Sequence, residues 1–240
     1  MIIVDKNSDP DKIDYREGAV ILINKDLHWT SFDVVNKIRF ALRSKYQIKK
    51  IKVGHNGTLD PLASGLLMIF TGKYTKRIPY EENHDKYYEG LIKLGATTDT
   101  LDTEMPETDF TDYKHVDESM IQNAMESFLG DSMQEIPVFS ATKTKGQRMY
   151  KLAREGKEIE KKFKAVTFHE ISMDSYKPPI INFSLKCGKG TYVRAFARDL
   201  GIKLKTTAYL YALKRTGIAN YSIENAFNVE TFCSLINHQD

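Results

Sequence analysis

Two dipeptides four residues apart, Asn56-Gly57 and Asp60-Pro61, break an otherwise apolar part of the chain and forbid a regular element from running through it. Asn and Gly both tolerate positive φ, so Asn56-Gly57 marks a tight turn. Pro61 fixes its own φ and biases Asp60 away from the helical region. Asp60 therefore stands on stiff backbone, with Leu59, Leu62, Leu66 and Leu67 as apolar neighbours. A carboxylate held in this way can act as a nucleophile or a general base. Asp-Pro is also an ordinary helix start, with Asp as N-cap and Pro at the first helical position. The dipeptide alone leaves both readings open, and His55 alone reads as a structural histidine.

Charge is more informative in its distribution than in its sum. The net charge of the 240 residues is +3. Nine basic residues (Lys143, Lys145, Arg148, Lys151, Arg154, Lys157, Lys161, Lys162 and Lys164) stand against three acidic ones between positions 143 and 164. Lys45, Lys49, Lys50 and Lys52 form a second basic cluster, while eight acidic residues and one basic residue fill positions 99–118. Such asymmetry suits a protein with one side facing a polyanion, and solvated faces are its plainer explanation. Cys187 and Cys233 are isolated, which argues against a disulfide scaffold or a zinc site and fits a reducing cytoplasm. There is no metal cluster, dinucleotide fingerprint or phosphate loop. Thr71-Gly72-Lys73 suggests the last, but the glycine required five positions before Gly72 is Leu67. No cofactor is expected. Nothing resembles a signal peptide, and no apolar run is long enough to cross a membrane.

The pattern of apolar residues predicts an α+β chain of one domain, with positions 1–17 as a loose arm. Strands are expected at 19–24, 66–70, 86–95, 166–173 and 180–187, the last two parted by Pro178-Pro179. Thr30 or Ser31 caps a helix with Phe32, Val35, Ile38 and Leu42 on one face. Asp117 caps another, carrying Ile121, Ala124, Met125, Phe128 and Leu129 and ended by Gly130. A helix near 148–155 stops at Gly156, Thr191 caps one carrying Val193, Phe196 and Leu200, and 224–237 forms a short last helix. The turn Gly188-Lys189-Gly190 before a helix could hold a phosphate.

The string Gly54-His55-Asn56-Gly57-Thr58-Leu59-Asp60-Pro61-Leu62-Ala63-Ser64-Gly65 closely resembles the signature of the TruB family of tRNA pseudouridine synthases. Four further motifs resemble the family's in order. They are Lys25 with Thr30-Ser31; Lys86-Tyr87-Tyr88 with Gly95, Thr98-Asp99-Thr100 and Asp102; Gln134, Pro137, Ser140-Ala141, Lys143, Gly146, Tyr150 and Ala153-Arg154 with Gly156; and Lys189-Gly190-Thr191-Tyr192-Val193-Arg194 followed by Leu213-Lys214-Arg215-Thr216. The chain departs from the family at Asp26 (Pro), His28 (Gly), Ile136 (Pro), Phe139 (Tyr) and Thr142 (Leu).

This resemblance implies a mixed, mainly antiparallel sheet flanked by helices. It implies isomerisation of a T-loop uridine of tRNA, uridine 55, with Asp60 as nucleophile and Arg194 keeping it ionised. It sets Tyr88 and Leu213 about the uracil, and has His55 fill the space of a flipped-out base. Leu59, Lys25, Lys143, Arg148 and Arg154 are expected to contact RNA, the last three in a clamping insertion at about 134–164. The family's longer members add a PUA domain, for which too little chain follows Lys205. A cytoplasmic monomer working on the T-arm without guide RNA is expected. A non-catalytic RNA-binding protein and a guide-dependent synthase are the rival classes; Asp60, Tyr88 and Arg194 together disfavour the first, and the missing domain disfavours the second.

Overall fold

A computed structural model describes residues 1–81, 83–144 and 146–237, and divides the chain into two compact units. The first comprises Met1–Tyr88 and the chain from Lys214 onward; the second is Glu89–Leu213.

In the first unit, β1 (Ile3–Val4) pairs in parallel with β2 (Val20–Lys25). The N-terminal residues are thus not the loose arm that their polarity suggests. Val4 and Tyr15 are fully buried, and the Tyr15 hydroxyl donates to the Pro10 carbonyl. Two anchoring side chains in a polar stretch give no periodicity, so the sequence pattern misses them. Helix α1 (Ser31–Tyr46) follows. Thr30 is its N-cap and forms a capping box with Asp33. Its buried face is Ser31, Val34, Val35, Ile38, Ala41 and Leu42, whereas Phe32, expected there, is 57% exposed. Phe32 lies three and six residues before Val35 and Ile38, about 120° off the centre of a stripe that Val34 and Ala41 occupy better.

Strands β3 (Val53–Asn56) and β4 (Ala63–Thr71) form an antiparallel hairpin, with Val53 opposite Thr71 and Asn56 opposite Met68. β4 also pairs antiparallel with β2, Lys25 opposite Gly65. Leu67 and Ile69 face α1 and the last helix, and Leu66, Met68 and Phe70 face the opposite side. With both faces covered, β4 reads as an unbroken apolar run. Burying each such side chain contributes about 1.5–3 kcal/mol. A short α2 (Ile78–Glu81) leads into β5 (Lys86–Leu94), a strand that runs from the first unit into the second.

In the second unit, α3 (Glu118–Glu126) has Asp117 as N-cap; it ends before Phe128 and Leu129, and Leu129 is 47% exposed. Then come β6 (Gly130–Glu135), the two-stranded hairpin β7 (Lys143–Thr144) and β8 (Gln147–Arg148), and α4 (Met149–Arg154). β9 (Phe163–Lys177), β10 (Ile180–Cys187) and α5 (Val193–Lys203) complete the frame. Strand order is β5-β10-β9-β6, and Phe128, Phe168, Phe183 and Phe196 make one aromatic cluster with centroids 5.2–5.9 Å apart. Thr191 is not the cap of α5. Tyr192 holds that position without a side-chain bond, and the Thr191 hydroxyl donates to the Gly188 carbonyl instead.

The chain returns to the first unit through β11 (Ala208–Ile218), then β12 (Tyr221–Ser222), β13 (Phe227–Asn228) and α6 (Val229–Asn237), the last being shorter than the predicted 224–237. Strand order there is β1-β2-β4-β11, with β13 parallel to β2. The sheet is mixed and mostly antiparallel, with helices beside it, as the family resemblance implies. Among the described residues no helix is long and apolar enough to cross a membrane.

Candidate active site: a clamped aspartate turn

Asp60 sits in the connection of the β3–β4 hairpin, at residues 57–62. The Ala63 amide donates to the Asp60 carbonyl at 3.0 Å, closing a turn with Pro61 in its second position. Asp60 therefore begins a β-turn and not a helix, which removes the capping reading. Its side chain is half-buried.

The turn is held from several directions within the first unit. Ser31, at the head of α1, donates its hydroxyl to the Leu59 carbonyl at 3.2 Å and accepts from the Leu59 amide at 2.9 Å. The His28 amide donates to the Pro61 carbonyl at 2.7 Å. The Asn56 side-chain amide donates to the Glu81 carbonyl at 2.6 Å. Arg215, only 1% exposed, donates Nε to the Leu66 carbonyl at 2.7 Å and Nη2 to the Gly57 carbonyl at 3.0 Å. One guanidinium thus ties together the two flanks of the aspartate turn. Gly57 has φ +71, as its Asn-Gly pair predicts. At Gly65, with φ +114, a Cβ would lie 2.3 Å from the Arg215 carbonyl oxygen, so only glycine lets β11 approach this closely.

Lys25 is a correction to the sequence reading. It is fully buried, with Nζ donating to the Asp26 and Trp29 carbonyls at 3.0 and 2.7 Å, and so offers no surface to RNA. Burial pulls its pKa down to about 8, while the negative charge of Asp60 pulls it upward. Lys25 is therefore a buried cation facing the candidate nucleophile. Leu59, 3% exposed, likewise forms the packed floor of the turn and not an RNA contact. His55 is half-buried on β3, and Tyr88, 9% exposed, lies on β5.

The other predicted residues belong to the second unit. Arg194 on α5 is 8% exposed and donates to the Thr100 carbonyl at 2.7 Å and the Phe139 carbonyl at 3.0 Å. Its Nε lies 3.7 Å from an Asp102 carboxylate oxygen. Phe139 replaces the family's tyrosine, but its contribution here is a main-chain oxygen, which any residue supplies. Gln134 bonds both the carbonyl and the amide of Tyr192, at 3.1 and 2.8 Å, fixing the start of α5. Leu213 is half-buried on β11.

Lys143 and Arg148 face each other across the β7–β8 hairpin, both exposed. Like charges directly opposite one another destabilise a strand pair. Arg154 is 60% exposed at the side chain and pairs with Glu104 at 2.9 Å. Lys145 lies outside the described residues.

Sequence reasoning missed Arg215, Ser31 and Asp102 as organisers. Arg215 and Ser31 lie inside motifs noted for their neighbours, and neither residue type announces burial.

The fold is shared with chains of two solved Cbf5-containing complexes. A Cbf5–Nop10–Gar1 complex matches with a TM-score of 0.68 at 23% identity, over 97% of this chain and 62% of that one. The archaeal box H/ACA sRNP Nop10–Cbf5 complex matches with a TM-score of 0.63 at 21% identity, over 94% and 57%. The chain spans about three-fifths of those chains, and at these identities the likeness is one of fold. In sequence, residues 43–193 match the TruB family pseudouridylate synthase N-terminal domain. The tRNA pseudouridine synthase B of Phocaeicola vulgatus is 43% identical over 229 residues, covering 95% of this chain and 97% of that protein. That of Chloroherpeton thalassium is 48% identical over 214 residues, covering 89% and 88%. The chain belongs to the TruB family of pseudouridylate synthases.

Proposed function

We propose that the protein isomerises a uridine in the T-loop of tRNA, uridine 55, to pseudouridine, with Asp60 as nucleophile. The observation that carries this is the Asp60 turn: a half-buried carboxylate whose backbone is bonded on both sides, inside an ungapped family signature. Relatives above 40% identity along nearly their whole length carry the name tRNA pseudouridine synthase B.

The reaction breaks the N1–C1′ bond, turns the uracil and joins C5 to C1′. C5 gives up its hydrogen and N1 gains one, so the change is an isomerisation that needs no oxidant. Turning the base requires that it leave its stack, at a cost of a few kcal/mol. Asp60 attacks the presented nucleotide. Arg194, held by the Thr100 and Phe139 carbonyls, supplies the cationic group of the reaction. Tyr88 and Leu213 bracket the uracil, and His55 occupies the vacated space. Arg215 and Lys25 touch no substrate and position the turn.

Lys143, Arg148 and Arg154 belong to an RNA-clamping insertion at about 134–164 in a single catalytic domain. The opposed Lys143 and Arg148 support this, because phosphate between them would relieve their repulsion. The enzyme works on the T-arm as a cytoplasmic monomer, without guide RNA.

Treatment of a tRNA transcript with the protein, followed by carbodiimide adduct formation and primer extension, tests the reading. A single new stop at the T-loop uridine is expected. A stop elsewhere, or none, contradicts it.

A further inference from the structure

The exposed surface of α1 is not accounted for by the catalytic turn. Arg39 and Arg43 on this helix, with Lys49, Lys50 and Lys52 from the segment after it, line a cleft of about 510 Å³ floored by Ile51. Arg43 and the three lysines are exposed, and Arg39 is half-buried. Among the described residues none of the five has a carboxylate within ion-pair distance. This sets them apart from Lys12, Lys37 and Lys73 of the same unit, each of which has an acidic partner. Arg39 is oriented. Its Nη1 donates to the Asn36 side-chain oxygen at 2.6 Å and its Nη2 to the Val53 carbonyl at 3.0 Å, and its guanidinium stacks 5.7 Å from the Phe32 ring centre.

Five uncompensated cations in one concavity repel one another, and the fold keeps them together without a local counter-charge. Beside them, Phe32 and Phe40 stand 57% and 72% exposed on the same helix. Cations interleaved with exposed aromatic rings suit a sugar-phosphate chain with bases that can stack. The location fits too. Lys52 runs directly into β3, whose far end is the Asp60 turn; at about 3.3 Å per residue the cleft's edge lies about 13 Å from that turn. A nucleic acid presenting one nucleotide at Asp60 would carry its backbone over this distance within a few nucleotides.

We infer that this cleft is a second RNA-backbone site, separate from the insertion at 134–164, which binds phosphates of the substrate beyond the flipped nucleotide. The inference rests on the tRNA reading above and adds where the RNA lies on the first unit. The cleft supplies affinity and salt dependence, and no chemistry.

The test compares the wild type with Arg43→Ala/Lys49→Ala/Lys50→Ala and with a control that removes the same charge elsewhere in the unit, Lys6→Ala/Lys12→Ala/Lys73→Ala. tRNA affinity is measured from about 0.05 to 0.3 M salt, together with steady-state kinetics. Each phosphate that the variant no longer neutralises should lower the slope of log affinity against log salt by about 0.7–0.9. The cleft variant should therefore have a slope about two to three units shallower and bind at least 10-fold more weakly at about 0.1 M salt, with KM raised and kcat unchanged. The control should follow the wild type. If cleft and control variants behave alike, or the cleft variant keeps the wild-type slope, the inference is overturned while the catalytic reading stands. If the wild type itself neither binds nor modifies tRNA, it is the catalytic reading that has failed.

Discussion

Two hairpin connections carry the residues of most interest, and they are built in opposite ways. The β3–β4 turn bearing Asp60 is fastened by Ser31, His28, Asn56 and Arg215, almost all through main-chain groups, with Lys25 buried below. The β7–β8 hairpin is two residues a side, exposed except for Thr144, and opposes Lys143 to Arg148. A nucleophile works only if placed within a fraction of an ångström, so its loop is over-determined. A phosphate contact tolerates more play, and its charges stay solvated until a polyanion arrives. Rigidity marks the chemistry, and like charges set opposite one another at the surface mark the grip.

Substituting Arg215 should separate the two regions most sharply. Arg215→Met leaves the Gly57 and Leu66 carbonyls without the donors that Arg215 provides, at a cost of about 3–5 kcal/mol. Thermal unfolding should show a large fall in Tm, and kcat should fall more than tRNA affinity. An equal fall in affinity and kcat would mean that Arg215 does not act through the turn.

Lys25 gives a pH signature. Its folded-state pKa of about 8 lies below the ordinary 10.5, because burial outweighs the pull of Asp60. Between those values the unfolded chain holds a proton that the folded chain has released, so this group's contribution to stability rises with pH across the window. The stability of the wild type minus that of Lys25→Met should therefore grow by roughly 3 kcal/mol from about pH 8 to about pH 10.5 in denaturant titrations. A flat difference would mean that Lys25 is not a charge buried at neutral pH.

A smaller effect is expected at His28. It has φ 67, in the left-handed region where a side chain is strained, and it stands where the family carries glycine. His28→Gly should raise stability by up to about 1 kcal/mol without loss of activity. The smallest stability effect belongs to the grip. Lys143→Ala/Arg148→Ala should change unfolding by no more than about 0.5 kcal/mol, since it removes an exposed like-charge pair. It should still raise KM for tRNA and flatten its salt dependence.

These contrasts also explain what is legible in the sequence. Turn chemistry is local, so Asn56-Gly57 and Asp60-Pro61 announce a stiff loop, and the covered strands announce themselves as apolar runs. Capping choice is not local. Thr30 and Ser31 are equivalent as letters, yet Thr30 caps α1 while Ser31 reaches Leu59, 28 residues away. Arg215 and Lys25 read as surface types because cations usually are; a buried carbonyl partner is visible only once strands pair. Spacing assigns Phe32 to the core, and the fold turns it outward beside the basic cleft. The departures at Asp26 and His28 leave the shape of that loop open in the sequence, and the strained φ of His28 shows that the backbone keeps its course at a cost.

The central claim is that Asp60 is the nucleophile of a uridine isomerisation. Tritium release from a tRNA transcript labelled at uridine C5 tests it directly, because C5 loses its hydrogen only when the base is turned and rejoined. The wild type should release one equivalent per tRNA, and Asp60→Asn should release none while binding tRNA as tightly. Release by Asp60→Asn at the wild-type rate, or no release by wild type from well-bound tRNA, would contradict the account and leave an RNA-binding protein on a synthase fold.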